Sequence, residues 1–439
     1  MAGSPTTLDR RIIGLALPAL GALIAEPLYN LTDSAIVGHL GTPSLAALAL
    51  ATAALNVLGW CAGFLEMATV STVAFRRSAG DNNGAGRAVA SAYVISLALS
   101  VVLAAALELA APAIAHLLGG SQSAPVITKA VLYLRIAAVG IPALLVALAG
   151  SGHLTGFADT RRPFLIALVA NFLNAGLEIG LVYGLHLGIA GSAWGTVAAQ
   201  WVAAAVFVTY SLRAPLRPRR PRRADLRVLL HDALPLTVRT VALGSALLAT
   251  TAIAARLGAT RLAAHQIAMQ IWGMLALALD SLAVPAQVFV SETLGVGDLP
   301  RARLVGRRTL QLGLVAGVGV GLITMATAGV VPDVFSPSST VEHQATLALL
   351  VCGLQQPVAA IAFVLDGLVL GASQYKMMRT AMLLALVAFA PLAAATLEVP
   401  RLGLIGVWSA LLCWLTARAL LLGRGWHRVV TGQVAVVVR

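Results

Sequence analysis

The first apolar run of this chain includes the stretch Pro18-Ala-Leu-Gly-Ala-Leu-Ile-Ala-Glu26-Pro27-Leu-Tyr-Asn30-Leu-Thr-Asp33-Ser-Ala-Ile-Val-Gly-His-Leu-Gly41. It has the length of about 20 residues that a helix needs to cross a hydrocarbon core, yet it carries three polar side chains. Glu26, Asn30 and Asp33 stand four and three residues apart, so they share one helix face. Carboxyl groups inside a bilayer are costly and usually mark a pathway for ions, protons or substrate. Pro27 removes a backbone hydrogen bond at the level of these acids and is a candidate hinge.

The composition of the chain is that of a membrane protein. Of its 439 residues, 59% are hydrophobic and only 11% are charged, whereas a soluble domain carries about 25% charged residues. Apolar runs of spanning length recur along the whole sequence, and breaks at glycine, proline and charge clusters divide them into twelve predicted helices. These cover residues 12–38, 44–75, 88–113, 126–154, 162–184, 188–212, 230–256, 261–291, 304–331, 341–371, 376–397 and 402–423.

Basic residues are concentrated in alternate loops, which predicts the orientation of the chain. They follow the even-numbered helices, and the linker 213–227 alone contains seven arginines. Cytoplasmic loops carry such an excess, so both termini and the linker are predicted to be cytoplasmic in a bacterial inner membrane. The prolines of the linker prevent a regular helix, and we expect a solvated segment near anionic headgroups, with a specific lipid or RNA site as the alternative. The net charge of +13 thus reflects membrane orientation, and we expect no nucleic-acid partner.

An internal repeat crosses this linker. Ala16-Leu17-Pro18 recurs as Ala233-Leu234-Pro235, 217 residues later. Six helices repeated with the same polarity predict two lobes related by a pseudo-two-fold axis along the membrane normal, and such folds usually work by alternating access. The expected fold is an all-α polytopic membrane protein of twelve transmembrane helices, with an N-lobe at 1–212, the basic linker at 213–227 and a C-lobe at 228–439.

The repeat is an internal control for the polar face of the first helix. In the second lobe its three positions are mostly apolar: Leu243, Leu247 and Thr250. The fold therefore does not require acids there, and the first lobe holds them for a local reason. The fifth helix carries a second polar face, formed by Asn171, Asn174 and Glu178.

Asp33 and Glu178 are predicted to share one cavity. They lie about 30 Å and 24 Å along their helices from the cytoplasmic side, at 1.5 Å per residue, which places both in the outer half of the membrane. Two carboxylates that face each other away from water repel, so such a pair is suited to take up and release a proton. The alternative is a pair that only stabilises packing through bonds to Asn and Thr. The other residues expected to line the cavity are Glu26, Tyr29, Asn30, Asn56 and Asn171.

The polar residues of the second lobe indicate a structural or gating role. Arg239 and Asp280 both fall nearer the cytoplasmic side, where we expect an ion pair, and Asp366 approaches the same surface. Arg239 is the one basic residue that the predicted spans place deep inside a helix.

Nothing in the sequence indicates catalysis or a bound cofactor. It has no Walker loop, GxSxG elbow or HExxH motif. Cys61, Cys352 and Cys413 lie far apart in apolar runs, and the eight histidines show no metal-binding spacing, so we expect no metal site. The expectation is a monomeric transporter that is not an enzyme, driven by H⁺ or Na⁺.

The sequence resembles the multidrug and toxic compound extrusion (MATE) family, and within it the DinF-like branch, over essentially the whole chain. The stretches that carry the resemblance are Ala16-Leu-Pro18, Glu26-Pro-Leu28, Asp33-Ser-Ala-Ile-Val-Gly-His-Leu-Gly41, Gly80-Asp81, Asn174-Ala-Gly-Leu-Glu178, Leu365-Asp-Gly367, Gly371-Ala372 and Met378-Arg379.

This resemblance implies two six-helix lobes, a central cavity, and export of cationic or amphipathic compounds driven by H⁺ or Na⁺. It also implies that Asp33 is a coupling residue, helped by the acid and the amide that match Glu178 and Asn174. The family often has Asp at the position of Glu178. The C-lobe acids of the NorM-like branch are missing, which favours coupling by protons in the N-lobe.

Two other transporter classes compete with this interpretation. A lipid-linked precursor flippase of the same superfamily is expected to line its cavity with more basic residues than this chain offers. A major-facilitator transporter normally carries a Gly-x-x-x-Asp-Arg-x-Gly-Arg-Arg loop motif, whereas the loop here reads Arg76-Arg-Ser-Ala-Gly-Asp-Asn-Asn-Gly-Ala-Gly-Arg87.

Overall fold

The structure is a computed structural model that describes residues 5–120, 122–214 and 217–434. The described residues form sixteen α-helices and no strand. The α-helices are α1 Pro5–Gly38, α2 Thr42–Ala62, α3 Phe64–Ser78, α4 Asn82–Gly119, α5 Ala124–Ala138, α6 Ile141–Gly156, α7 Arg161–Ile179, α8 Ile189–Arg213, α9 Arg223–Arg256, α10 Ala259–Asp280, α11 Ala283–Gly295, α12 Leu299–Thr327, α13 Val331–Phe335, α14 Ser339–Gly371, α15 Tyr375–Glu398 and α16 Gly403–Val430. A π-helical segment, Gly180–Gly184, follows α7, and a 3₁₀ turn, Pro400–Leu402, precedes α16.

The helices account for the predicted membrane spans. Eleven segments of the described chain are long and apolar enough to cross a membrane, and the bent pair α5 and α6 makes twelve when counted as one span. The helix pairs α2–α3 and α10–α11 each form a single span with a local break. The expected all-α polytopic architecture is therefore confirmed.

The bend between α5 and α6 is the sharpest break within a span. The two helices meet at 51° around Val139 and Gly140. Gly140 lowers the helix propensity at the break, and Pro142 stands in the first turn of α6, where its missing N–H breaks no hydrogen bond. The chain thus ends one helix and starts another inside the apolar run 126–154.

The chain packs into two compact units. The first unit comprises Gly21–Ala233, and the second comprises the residues up to Leu20 together with Leu234–Arg439. The boundaries between the units fall inside α1 and α9. The lobes expected from the repeat, 1–212 and 228–439, are defined by sequence similarity, whereas these units are defined by packing. The lobe boundaries therefore stay a prediction.

Close helix packing in the first unit positions the residues of α7. Helix α8 packs against α5, α6 and α7, while α3 and α4 pack against α6. Glycines on α8 allow its approach to α7: a Cβ at Gly191 would lie 2.8 Å from the carbonyl carbon of Leu181, and one at Gly195 would lie 3.2 Å from the nitrogen of Glu178. Small residues allow helix backbones to approach in membranes, and here they bring α8 next to Glu178.

Helix α14 is the centre of the second unit. It packs against α10, α11, α12 and α16, and most of its length is buried. Its contact with α12 depends on glycine, because a Cβ at Gly317 would lie 2.6 Å from the Cβ of Ala360 and 2.8 Å from the carbonyl oxygen of Gln356. The core next to α14 includes the fully buried Trp408 and Trp414 of α16.

Candidate functional site

Helices α1 and α7 bring the three predicted coupling residues together. The exposed fractions of Asp33, Asn174 and Glu178 are 3%, 1% and 0%. The amide of Asn174 donates a hydrogen bond of 2.9 Å to Oδ1 of Asp33, and the carboxyl groups of Asp33 and Glu178 interact directly. The polar faces of the first and fifth spans therefore meet at one buried cluster.

Glu178 lacks a well-formed hydrogen bond within this cluster. Its carboxyl group faces Asp33 and the hydroxyl of Ser192. Nevertheless, no residue in the described part of the chain donates to either of its oxygens in good geometry. Buried polar groups normally have a partner, and a proton or a cation is one that this carboxyl group is placed to take.

Two tyrosines extend the cluster. The hydroxyls of Tyr29 and Thr196 are 2.7 Å apart, and the side chain of Tyr29 also interacts with the carboxyl group of Asp33. Tyr133 on α5 is 2% exposed and interacts with Thr196 and Ser192. Tyr29 is among the residues predicted from the sequence, whereas Tyr133 is not, because its only sequence signal is a single tyrosine in an apolar span.

Further hydrogen bonds hold α1 against α7 and the π-helical segment that follows it, on both sides of the cluster. The amide of Asn171 donates to the carbonyl of Ala25 at 2.8 Å, and the hydroxyl of Tyr183 donates to the carbonyl of Ile36 at 2.6 Å. Pro27 lies between these attachments, and α1 continues through it as one helix.

A cavity of about 240 Å³ opens beside the cluster in the first unit. Its polar lining residues are Glu26, Tyr29, Asn171, Thr196 and Gln200, and its apolar ones are Ala22, Ala25, Leu144, Ala147, Ala167, Ala170, Ala199 and Ala203. Glu26 is exposed toward this space. Tyr29 and Thr196 belong to both the cavity and the carboxyl cluster, so they connect the two.

Two of the predicted cavity residues lie outside this lining. Asn30 on α1 and Asn56 on α2 are both half-buried, and neither is among the described residues that line the cavity. Gln200 on α8, which sequence analysis did not single out, lines it instead.

The second unit contains its own buried charge cluster. Arg239 on α9 and Arg418 on α16 both form ion pairs with Asp366 on α14. The guanidinium of Arg418 also lies 5.0 Å from the ring centroid of Phe363. The expected ion pair of Arg239 with Asp280 was wrong, because Arg239 pairs with Asp366 and Asp280 acts on Arg239 only at longer range. The expectation that Arg239 is the one basic residue deep inside a helix was also wrong, because Arg418 is a second. Arg418 was missed because it lies near the end of the last predicted helix, where basic residues commonly face headgroups.

The described residues contain no group of three or more His, Cys, Asp or Glu side chains that could hold a metal ion. The three cysteines are free thiols.

Comparisons with known proteins agree with the repeat and the fold. A family model described as MatE matches residues 18–179 and 235–395, and these two segments begin at the prolines that define the repeat. Protein DETOXIFICATION 44, chloroplastic, of Arabidopsis thaliana is 31% identical over 422 residues, which cover 94% of this chain and 81% of that protein. DNA damage-inducible protein F of Escherichia coli (strain K12) is 28% identical and covers 96% of this chain and 93% of its own length. The solved structure "Crystal structure of MATE in the bent conformation" has a TM-score of 0.89 at 21% identity and covers 98% of this chain and 96% of that chain.

Proposed function

Because the chain belongs to the MatE family of multidrug and toxic compound transporters, we propose that it exports cationic or amphipathic organic compounds in exchange for protons. The transporter works by alternating access as a monomer in a bacterial inner membrane, with both termini in the cytoplasm. Asp33 and Glu178 bind the coupling proton, and Asn174 orients Asp33.

The observation that carries this proposal is the buried carboxyl pair. Two ionised carboxylates in contact would repel each other, and Glu178 receives no well-formed hydrogen bond from the described residues to offset that repulsion. A proton on Glu178 turns it into a donor to Asp33 and satisfies both groups. The occupied site therefore holds one proton between the two residues, and its release leaves a charge that a cationic substrate can balance.

The link between proton and substrate runs through Tyr29. Its hydroxyl contacts Asp33 of the carboxyl pair, while its side chain lines the cavity that Glu26 faces. A change of charge on Asp33 alters the hydrogen bonds of Tyr29, and with them the wall of the cavity. The same change acts on α1 near Pro27, where one backbone hydrogen bond is already missing, so Pro27 is the hinge of the proposal.

Sodium is the second candidate for the coupling ion. The side-chain oxygens of Asn174 (Oδ1) and Ser192 lack hydrogen-bond partners among the described residues, and both residues adjoin the carboxyl pair. A hard cation prefers several oxygen ligands of this kind. The contact between the carboxyl groups of Asp33 and Glu178 favours the proton, because a single proton bound between them removes their charge repulsion.

The lining of the cavity opposes the flippase alternative. Among the described residues that line it, none is basic, and Glu26 contributes a carboxyl group. A lipid-linked precursor carries anionic phosphates, for which this lining provides repulsion rather than binding. A cationic substrate is the class that the cavity suits.

Transport in proteoliposomes tests the proposal. With a fluorescent organic cation such as ethidium, we expect a pH gradient to drive transport by the wild type, and Asp33→Asn and Glu178→Gln to lower the rate about tenfold or more. Asp333→Asn and Glu398→Gln make the same chemical changes at exposed positions and serve as matched controls. An Asp33→Asn variant that transports at the wild-type rate under a pH gradient would refute the coupling site, and transport driven by a sodium gradient alone would identify sodium instead.

A further inference from the structure

The arginine strap, residues 217–223, is a densely charged surface segment of the first unit. Its sequence Arg-Pro-Arg-Arg-Pro-Arg-Arg places five arginines in seven positions. All five side chains are exposed. It joins the ends of two membrane spans, α8 and α9, so it lies at the depth of lipid headgroups.

The backbone of the strap is docked on the start of α4. The N–H of Arg219 donates to the carbonyl of Gly86 at 3.0 Å. A Cβ at Gly86 would lie 2.6 Å from the carbonyl oxygen of Arg217, so the close approach depends on glycine at this position. At the other end of the strap, the N–H of Arg222 donates to Oδ2 of Asp225 at 3.2 Å. The backbone of the strap is therefore fixed against α4 and the start of α9.

The acidic residue next to the strap, Asp225, forms its ion pairs with arginines outside the strap. Asp225 pairs with Arg76 at 2.9 Å and with Arg87 at 3.2 Å. Within the described chain, none of the five strap guanidinium groups forms an ion pair with an acid. Five like charges fixed side by side repel one another, and an external anion is needed to balance them.

We propose that the arginine strap binds the phosphate-bearing headgroups of anionic phospholipids. Arg guanidinium groups bind phosphate oxygens through two parallel hydrogen bonds, and clusters of basic residues next to a membrane span attract anionic lipids. Docking on Gly86 and Asp225 holds the backbone that carries the guanidinium groups, so that several headgroups can bind along the strap at once. A single-stranded nucleic acid fits less well, since its bases stack on aromatic side chains and residues 213–233 contain none.

Lipid retention by the purified full-length protein tests this site. Native mass spectrometry and the thermal midpoint are measured in detergent containing either dioleoyl phosphatidylglycerol or, at the same fraction, dioleoyl phosphatidylcholine. We expect the wild type to retain phosphatidylglycerol preferentially, and a variant with all five strap arginines changed to Gln to lose that preference by about tenfold in apparent affinity. Because these side chains are exposed, the variant should keep the wild-type thermal midpoint in phosphatidylcholine.

A matched control removes five charges elsewhere. Its substitutions, all to Gln, fall on exposed basic residues of the second unit: Arg301, Arg307, Lys376, Arg424 and Arg428. We expect this control to keep the preference of the wild type. Equal loss in both variants, or no loss in the strap variant, would overturn the proposal.

The docked pose has a test of its own. Gly86→Val displaces the strap without changing its charge, and we expect it to weaken phosphatidylglycerol retention as well. Unchanged retention would overturn the role of this docking. Tight binding of a fluorescent single-stranded RNA by the wild type, without preference for phosphatidylglycerol, would assign the strap to nucleic acid and overturn the lipid site.

Discussion

The internal repeat provides a single residue with which Asp33 can be compared. The repeat places Thr250 at the corresponding position of the second copy, where it is fully buried and its hydroxyl donates to the carbonyl of Leu247 in its own helix at 2.7 Å. A neutral residue thus fills this position, and no other helix of the described chain gives its hydroxyl a hydrogen bond. The position therefore does not need an acid for packing, and an acid there in the first copy agrees with the proposed coupling role.

Asp366 is the residue whose loss we expect to be most harmful to stability. Asp366→Asn leaves the buried guanidinium groups of Arg239 and Arg418 without their carboxylate, and breaking such a pair costs about 3 kcal/mol or more of unfolding free energy. The thermal midpoint of the purified protein measures this loss. Asp280→Asn is the control, because Asp280 is half-buried and forms no ion pair within the described chain. Equal losses in the two variants would contradict the role of Asp366.

The sequence indicated residues that share a polar helix face more readily than isolated polar residues. The acids of α1 and α7 were found because each belongs to a polar face whose spacing is visible in the sequence. Tyr133 and Arg418 have no such companions, so their proximity to Asp33 or Asp366 depends on how separate helices pack. The expected pair of Arg239 with Asp280 was wrong for the same reason: depth along a helix does not determine which neighbouring helix a side chain faces.

At the scale of elements, the glycine face of α8 sets the position of Glu178. Gly195→Val would place side-chain atoms against the backbone of α7 at this residue, since even a Cβ would lie 3.2 Å from its nitrogen. We expect transport of the organic cation to fall about fivefold or more, measured in proteoliposomes. Gly176→Val on α7 is the matched control, because no heavy atom lies within 4 Å of a Cβ there. If both variants transport equally well, α8 does not position the acid.

The repeated spans show why element shapes were harder to predict than their existence. Pro142 and Pro357 correspond in the repeat, yet the first follows a break of 51° and the second lies inside the continuous helix α14. Gly140 stands two residues before Pro142, whereas Gln355 stands two residues before Pro357. Glycine weakens a helix by about 1 kcal/mol relative to Ala, which adds to the effect of the proline. Apolar length predicted both spans correctly, but only the local residues decide which one bends.

At the scale of the whole molecule, the distribution of arginines predicts the orientation in the membrane. Reporter fusions test it: green fluorescent protein at the C-terminus should fluoresce, and alkaline phosphatase at the same place should be inactive, because the C-terminus is expected in the cytoplasm. Alkaline phosphatase inserted after Ser336, between α13 and α14, should be active. The reverse pattern would invert the assignment of the arginine strap to the cytoplasmic leaflet.

The π-helical segment Gly180–Gly184 has a consequence for how the chain tolerates changes in length. A π-helix holds one more residue per turn than an α-helix, so deletion of one residue there would restore ordinary winding with the ladder of backbone hydrogen bonds intact. Because the π turn accommodates the extra residue, the residues beyond the deletion would keep nearly their original directions. An evolving gene could therefore gain or lose one codon here without unfolding the span or turning the residues that follow it.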